Sequence, residues 1–323
     1  MTLSLEKIAR FAGAQAPAVE NLPAVAAVGY SIDSRLIRPG EVFFAVRGEK
    51  RDGHQFVPAA LAAGAAAVVA AHGPLRSADR LLMAPDPEVA LQQLAARVRL
   101  EWGGRVVGIT GSNGKTTTKE IAAALLSTRY QVAKTEGNLN NQLGLPLTIL
   151  RMEREAEVGV FEMGMNHPGE IRSLAQIARP EVGVVTNVSA AHLEYFDGVD
   201  GIALAKRELI ESLPPSGVAV LNADDERVSG FARFYRERAP AGRVVTFGIE
   251  KPAEIRAVGM EDLGPDGMRF CLESGAVEFT APLVGRHNLY NILAALAVAE
   301  IFGLPLESLR APVADLAPAH MRG

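Results

Sequence analysis

Cysteine is nearly absent from this 323-residue chain. Cys271 stands alone, so the chain can close no internal disulfide and build no cysteine-based zinc site, which fits a reducing cytosol. An excess of charge of one sign is also lacking. Lys and Arg number 33 against 37 Asp and Glu, a net charge of -4 without long basic runs, so there is no electrostatic footprint for nucleic acid. No apolar stretch long enough to span a bilayer stands free of charges or breakers, and membrane insertion is not expected. The first residues, Met1 to Lys7, lack a charged-then-apolar leader and read as the start of a helix. Internal repeats and low-complexity segments are missing too. What is present is 48% hydrophobic material, enough for more than one core, and the expectation is a soluble, globular chain of two domains.

Residues 1 to about 84 alternate short strands with alanine-rich helical pieces. A helix from Leu91 to Trp102 follows and ends at the breaker Gly103-Gly104; the domain boundary is placed just before it, at 84/85. Strand-like runs then alternate with helical ones: Val106 to Thr110, Val132 to Thr135, Val158 to Glu162, Val182 to Asn187 and Val218 to Asn222. Such alternation predicts an α/β fold with a mostly parallel sheet covered by helices, in which ligands bind at the carboxyl ends of the strands. From Val244 to Pro282 the pattern is strand-rich and suggests an antiparallel extension, before a helix from Asn288 to Phe302 and a shorter one from Leu306.

The most informative segment is Gly111-Ser112-Asn113-Gly114-Lys115-Thr116-Thr117, which joins the run Val106–Thr110 to a helix-like stretch. Glycines let the backbone approach phosphates, the helix N-terminus carries partial positive charge, Lys115 adds a full one and the Thr116 hydroxyl can ligate magnesium. Binding of a nucleoside triphosphate is expected. The usual G-x-x-x-x-G-K-[ST] pattern would have glycine where Ile109 stands, so the loop is a shorter G-x-x-G-K-T-T.

Glu162 ends the strand that starts at Val158, where a carboxylate could reach phosphate-bound magnesium, and His192 follows another strand end. Each also has a plainer reading: Glu162 as a cap for the segment Pro168 to Ala178, His192 as an ordinary loop histidine. The amides of Gly137-Asn138-Leu139-Asn140-Asn141 read either as turn formers or as neutral donors toward transferring oxygens. Lys206 by default is a solvated lysine on a helix from Gly201 to Ser212. Asn288 and Asn291 lie three apart at a helix start, where Asn288 is a plausible N-cap.

Together these blocks resemble the Mur ligases. The resemblance rests on Thr110 to Glu120, Gly137 to Thr148, Glu162-Met163-Gly164-Met165-Asn166 through Ile171, Asn187 through Glu194, and His287-Asn288-x-x-Asn291. Upstream, Ser31-Ile32-Asp33-Ser34-Arg35, Pro39 to Ala45 and Gly48 to Phe56 resemble the domain with which that family holds a UDP-sugar. Within the family the Glu-Met-Gly-Met-Asn and Gly-Asn-x-Asn-Asn blocks resemble the member that adds D-alanyl-D-alanine to UDP-N-acetylmuramoyl tripeptide. The member adding the third peptide residue is the nearer rival, and folylpolyglutamate synthase a more distant relative.

The resemblance implies a cytoplasmic, monomeric, ATP- and Mg2+-dependent amide ligase of peptidoglycan precursor synthesis that works through an acyl phosphate. It implies that Gly111, Ser112, Asn113, Gly114, Lys115, Thr116 and Thr117 cradle the nucleotide, with Asn288, Asn291 and Arg322 on its adenine, ribose and hinge side. Thr116 and Glu162 would hold one magnesium; His192 and a carbamylated Lys206 would serve a second. Lys115, His192, Lys206 and Asn138 would form the catalytic group. Ser31, Asp33, Ser34, Arg35, Gly48, Asp52, Gly53 and His54 would bind the UDP-sugar. The implied layout is 1–84 for the UDP-substrate domain, 85–311 for the ATP-binding domain and 312–323 for a hinge stub. The family's third, Rossmann-like domain is expected to be absent, leaving a fragment or disrupted gene product with little turnover, or a binding-only protein.

Overall fold

The computed structural model describes residues 1–15, 25–48, 51–72, 80–190, 196, 198–275 and 277–316. The chain forms two compact units, one of Met1–Gly103 with Gln142–Arg154, the other of Gly104–Asn141 with Glu155–Gly323.

In the first unit β1 (Leu3–Ser4) and β2 (Ala26–Ala27) form an antiparallel pair, while β3 (Gly29–Ser31), β4 (Glu41–Phe44), β5 (Ala67–Ala70) and β6 (Leu81–Met83) lie in that order in a parallel sheet. Both faces of such a sheet must be covered, which is why Val42, Phe43 and Phe44 are apolar in succession and all buried. Around it stand α1 (Leu5–Ala12), α2 (Val57–Ala62), α3 (Pro87–Trp102) and, from further along the chain, α5 (Gly144–Arg151). α3 packs on α1 and α5, and α5 on β3.

This division differs from the boundary expected at 84/85. α3 starts four residues before the predicted Leu91 because Asp86 caps it, accepting the N–H groups of Glu88 (2.8 Å) and Val89 (3.3 Å), with Pro87 in the first turn. It belongs to the first unit, as does the returning segment that carries α5. A linear reading has no signal for a chain that leaves a unit and comes back to it.

The second unit holds β7 (Arg105–Thr110), α4 (Lys115–Leu126), β8 (Val132–Lys134), β9 (Val158–Glu162), α6 (Glu170–Ala178), β10 (Val182–Val185), α7 (Gly198–Glu211), β11 (Val218–Asn222), α8 (Glu226–Arg238), β12 (Arg243–Gly248), β13 (Ile255–Asp262), β14 (Met268–Leu272), β15 (Glu278–Ala281), α9 (Arg286–Ile301) and α10 (Arg310–Ala314). Its strands form one sheet of order β15-β14-β13-β12-β11-β10-β7-β9-β8, parallel from β8 to β13 and antiparallel from β13 to β15. The antiparallel extension is therefore present, beginning one strand later than the strand-rich stretch does. Strand order reverses around β7, which has β9 on one side and β10 on the other, so the turn after β7 opens into the crevice where such sheets bind ligands.

Side chains alternate across β7. Val107 and Ile109 enter the core shared with α4 and α9, while a Cβ on Gly108 would meet Leu209 of α7 on the opposite face. α9 is buried continuously from Asn291 to Ala299, as expected of a helix apolar on nearly every side. Leu293 is fully buried in this core. Leu293→Ala should therefore destabilise the second unit by about 2–5 kcal/mol, read as a lower urea midpoint by circular dichroism; a shift within about 0.5 kcal/mol would contradict the packing.

Candidate functional site

The turn after β7 is shaped by two glycines. Gly111 has φ +152° and Gly114 φ +79°, and a Cβ at either would collide, with Thr186 Oγ1 in the first case and Asn291 Oδ1 in the second. The turn is tied to residues that follow β10: Ser112 N–H donates to Asn187 O and Asn113 N–H to Asn187 Oδ1, both at 2.9 Å. Asn187 Nδ2 and Thr186 Oγ1 return hydrogen bonds to Asn113 O at 3.0 and 2.6 Å. That segment is anchored in turn by Asn222, which donates to Thr186 O (2.9 Å), and by Asp225, which accepts Val188 N–H (2.7 Å). Lys115 opens α4 and folds back over its own turn, its Nζ donating to Gly111 O (2.9 Å) and Ser112 O (3.2 Å). Burial lowers its pKa while the charge of Glu162 offsets part of that.

Glu162 is buried, 2% exposed, at the end of β9. Its Oε2 accepts the Thr116 hydroxyl at 2.8 Å, its Oε1 accepts Asn140 Nδ2 at 2.7 Å, and its N–H donates to Thr135 Oγ1 at 3.0 Å. It does not cap α6, whose N-cap is Gly169. The groups gathered here are a hydroxyl and a carboxylate beside a helix N-terminus, an all-oxygen donor set of the kind magnesium takes with phosphates. Among the described residues no cluster of three or more histidine, cysteine or carboxylate side chains forms a metal site.

Lys206 on α7 is not a surface lysine: it is 2% exposed, with no carboxylate partner among the described residues. Burial, and secondarily the charge of Lys115, bring its pKa down to about 7. The surface default fails because helical position says nothing about which neighbour covers it.

A cavity of about 1090 Å³ extends from Gly114 and Thr117 to Asn288, Tyr290 and Asn291, so the turn and the start of α9 share one space. Thr118 Oγ1 donates to Asn291 Oδ1 (3.2 Å), and Asn291 Nδ2 to Asn288 Oδ1 (3.3 Å). Asn288 is not the N-cap. α9 begins at Arg286 after Gly285, and Asn288 lies in the first turn with its Nδ2 donating to Val284 O (2.9 Å). Asp224 borders the same cavity. Burial pushes its pKa up, but the N–H groups of Ile249, Glu250 and Lys251 and the Tyr290 hydroxyl more than compensate, and the net shift is downward.

In the first unit the other predicted set gathers at the carboxyl ends of the parallel strands. Ser31, buried at the end of β3, accepts Asp33 N–H at 3.1 Å. Asp33 holds Arg35 through its backbone N–H (3.0 Å) and guanidinium (2.9 and 2.5 Å), an arrangement that lowers the Asp33 pKa to about 2. Arg35 is exposed and Ser34 half-buried. After β4, Gly48 N–H closes a turn on Arg51 O (2.9 Å) and Gly53 N–H donates to Val46 O (2.9 Å). Asp52 accepts His54 N–H (3.0 Å) and contacts its Nδ1 (2.6 Å), which brings the Asp52 pKa to about 2. Because Ala71 N–H donates to His54 Nε2 (2.9 Å), the Nδ1 of that ring carries the proton toward Asp52. The charge of Arg51 also acts on Asp33, so the two groups adjoin.

Not every expected residue joins these groups. Asn138 is exposed in a turn, and the amide that reaches Glu162 is Asn140. Sequence reasoning reads Asn140 only as one of several turn-forming or donor amides and gives Asn187 no role of its own; nothing in a run of asparagines tells which one turns inward. His192 and Arg322 lie outside the described residues.

A strand-turn-helix with a lysine-threonine pair at the helix start, a buried carboxylate on the neighbouring strand and a crevice at the strand-order reversal define a P-loop α/β domain. Comparison with known proteins narrows the class. The Mur ligase middle domain matches residues 109–299, and the domain described as Mur ligase family, catalytic domain matches 27–99. The chain belongs to the Mur ligase family. It is 38% identical to the UDP-N-acetylmuramoyl-tripeptide–D-alanyl-D-alanine ligase of Escherichia coli over 88% of this chain and 62% of that protein, and 36% identical to the Bacillus subtilis enzyme over 91% and 63%. Among solved structures it resembles MurF of Acinetobacter baumannii (TM-score 0.88, 31% identity, 98% of this chain and 69% of that one). It also resembles MurF of Thermotoga maritima in complex with ADP (TM-score 0.78, 34% identity, 89% and 66%). The chain thus spans a little over three fifths of the length of these curated relatives.

The Lys206 shift gives a direct expectation. Its folded pKa of about 7 lies below the ordinary 10.5, so between those values the unfolded chain holds the extra proton and folding stability rises with pH. In CO2-free buffer one lysine 13Cε resonance, absent from Lys206→Met, should titrate near pH 7. All lysines titrating near 10.5 would contradict the burial.

Proposed function

We propose that this chain carries the nucleotide-activating and UDP-substrate-binding parts of a cytoplasmic ATP- and Mg2+-dependent ligase that joins D-alanyl-D-alanine to UDP-N-acetylmuramoyl tripeptide. The observation that carries the reading is the buried Glu162 carboxylate held between Thr116 and Asn140 at the mouth of the phosphate loop. The curated relatives named for this reaction support the choice of substrates.

An amide forms from a carboxylate only after its oxygen becomes a better leaving group. In this reading the tripeptide carboxylate attacks the γ-phosphorus of ATP, ADP leaves, and the D-alanyl-D-alanine amine then displaces phosphate from the acyl phosphate. The residues of this chain bind and orient. Lys115 leaves the Gly111 and Ser112 carbonyls for the transferring phosphate, and the N-terminal N–H groups of α4 face its oxygens. Thr116 and Glu162 would hold magnesium, which when bound neutralises phosphate charge. Lys206, with its pKa near 7, would be partly in the neutral amine form at neutral pH; that amine nitrogen would bond to CO2 and release one proton, leaving a carbamate anion. His192 stays in the reading as its metal-side partner, Asn138 as a phosphate-side amide and Arg322 as the hinge-side contact. Asn288 and Asn291 would face adenine and ribose in the cavity they border. The cluster of Ser31, Asp33, Ser34 and Arg35 with Gly48, Asp52, Gly53 and His54 would bind the UDP-sugar.

Lys115→Ala should weaken ATP binding by about tenfold or more in calorimetry, since a charged hydrogen bond to phosphate is worth about 1.5–3 kcal/mol; equal affinity in a folded variant would sink the assignment. Arg35→Ala should likewise weaken binding of UDP-N-acetylmuramoyl tripeptide by about tenfold while leaving ATP affinity unchanged. The reaction itself is tested by ADP release that needs the tripeptide. Release that is the same with or without the tripeptide would refute the reading.

A further inference from the structure

Lys119, one turn beyond Lys115 on α4, has no exposed surface, and the reaction described above gives it no task. Burying an ammonium is far more costly than burying a methionine of similar length, and its neighbours Ile121, Ala122 and Leu125 are ordinary core residues. Packing alone does not call for a charge here.

Its three protons meet three acceptors: Thr135 O at 2.7 Å, Glu120 Oε1 at 3.0 Å and Gly137 O at 3.5 Å. The second oxygen of Glu120 pairs with Lys134, so one carboxylate is shared by two ammonium groups and the backbone carbonyls carry the rest of the Lys119 solvation. The two carbonyls belong to the stretch where the chain leaves β8, flanking Glu136. That stretch carries two of the three groups that hold Glu162, the third being Thr116 on α4 itself. Thr135 Oγ1 accepts the Glu162 N–H at 3.0 Å, and Asn140 Nδ2 donates to the carboxylate at 2.7 Å. Asn140 is itself fixed by Gly164 N–H, which donates to its carbonyl at 2.8 Å.

We propose that Lys119 is a positioning residue for the Glu162 carboxylate, bolting segment 135–140 to α4 so that the helix bearing Thr116 and the strand bearing Glu162 stay in one register. The proposal rests on the reading of Thr116 and Glu162 as ligands of a divalent cation. A lysine suits the task because one ammonium reaches the carbonyls on both sides of Glu136, and an apolar side chain would leave the buried Thr135 carbonyl without this donor.

The test uses the whole chain and three variants: Lys119→Met; the double variant Lys119→Met/Glu120→Gln, which leaves no lone buried charge if the single variant fails to fold; and Phe279→Leu, a core change remote in sequence from the loop. Two readouts are taken. The first needs no ligand: exchange protection of the Asn140 side-chain amide, assigned by Asn140→Asp, should be lost in the Lys119 variants and kept in Phe279→Leu. The second is calorimetry with ATP in chelator and in magnesium. Affinity in chelator should be unchanged, while the gain from magnesium should fall roughly 10- to 100-fold in the Lys119 variants, the usual cost of losing a partner that orients a metal ligand. A folded Lys119 variant with full protection and full magnesium gain overturns the proposal, as does an equal loss in Phe279→Leu. If the unaltered chain binds ATP with no gain from magnesium, the ligand reading of Thr116 and Glu162 falls. The Asn140 protection then decides alone: lost protection supports the positioning role, and kept protection overturns it.

Discussion

The second unit depends on how closely the side chains of Thr186 and Asn291 approach its backbone at Gly111 and Gly114. Neither position has room for a Cβ, because Thr186 and Asn291 occupy the space it would need. That contact brings the ends of β7 and β10 and the start of α9 to one point. Every other group of the site is placed relative to it, from Lys115 at the helix start to the cavity bordered by Asn288 and Tyr290. The crossed hydrogen bonds between Asn113 and Asn187 hold the main chain of this turn in one geometry, the preorganisation that the proposed phosphate site needs.

Around this point, polar groups that burial would otherwise penalise are placed where each satisfies another. Glu162 takes hydrogen bonds from Thr116 and Asn140, and Lys119 gives its protons to Thr135, Gly137 and Glu120. Half-satisfied, such a network would be worse than an apolar core; satisfied, it fixes a single geometry. Lys206 is the exception, a buried amine without an acidic neighbour among the described residues, and its depressed pKa follows from that. A buried amine with its pKa brought near 7 differs from the other lysines in its charge at neutral pH.

The first unit uses the same edge of a parallel sheet for a different constellation. Asp33 and Asp52 sit after adjacent strands, each ionised strongly by hydrogen bonds with a cationic or imidazole partner two residues on. Their partners, Arg35 and His54, differ in freedom. Arg35 remains exposed, whereas His54 is fixed by Asp52 on one nitrogen and Ala71 on the other, with His72 stacked on its ring at 4.3 Å. One is available to a ligand and the other shapes the loop.

Much of this was legible in residue order. The phosphate loop, the strand ends at Thr110 and Glu162, the alternation that makes a parallel sheet, and the blocks that mark the Mur ligase family are all local patterns, set by glycine conformations, side-chain period and short spacings. The sequence could also say that Asn288 and Asn291 would act together, since three residues on a helix place them on one face. It could not say that Asn140 rather than Asn138 turns to Glu162, that Lys206 and Lys119 are buried, or that α3 and α5 belong to the first unit. Those facts depend on which distant segments come to lie against one another, and contact between residues far apart in the chain leaves no periodic or compositional trace in either partner. Burial of a charge is decided by its neighbours in space, and only the tertiary structure names them.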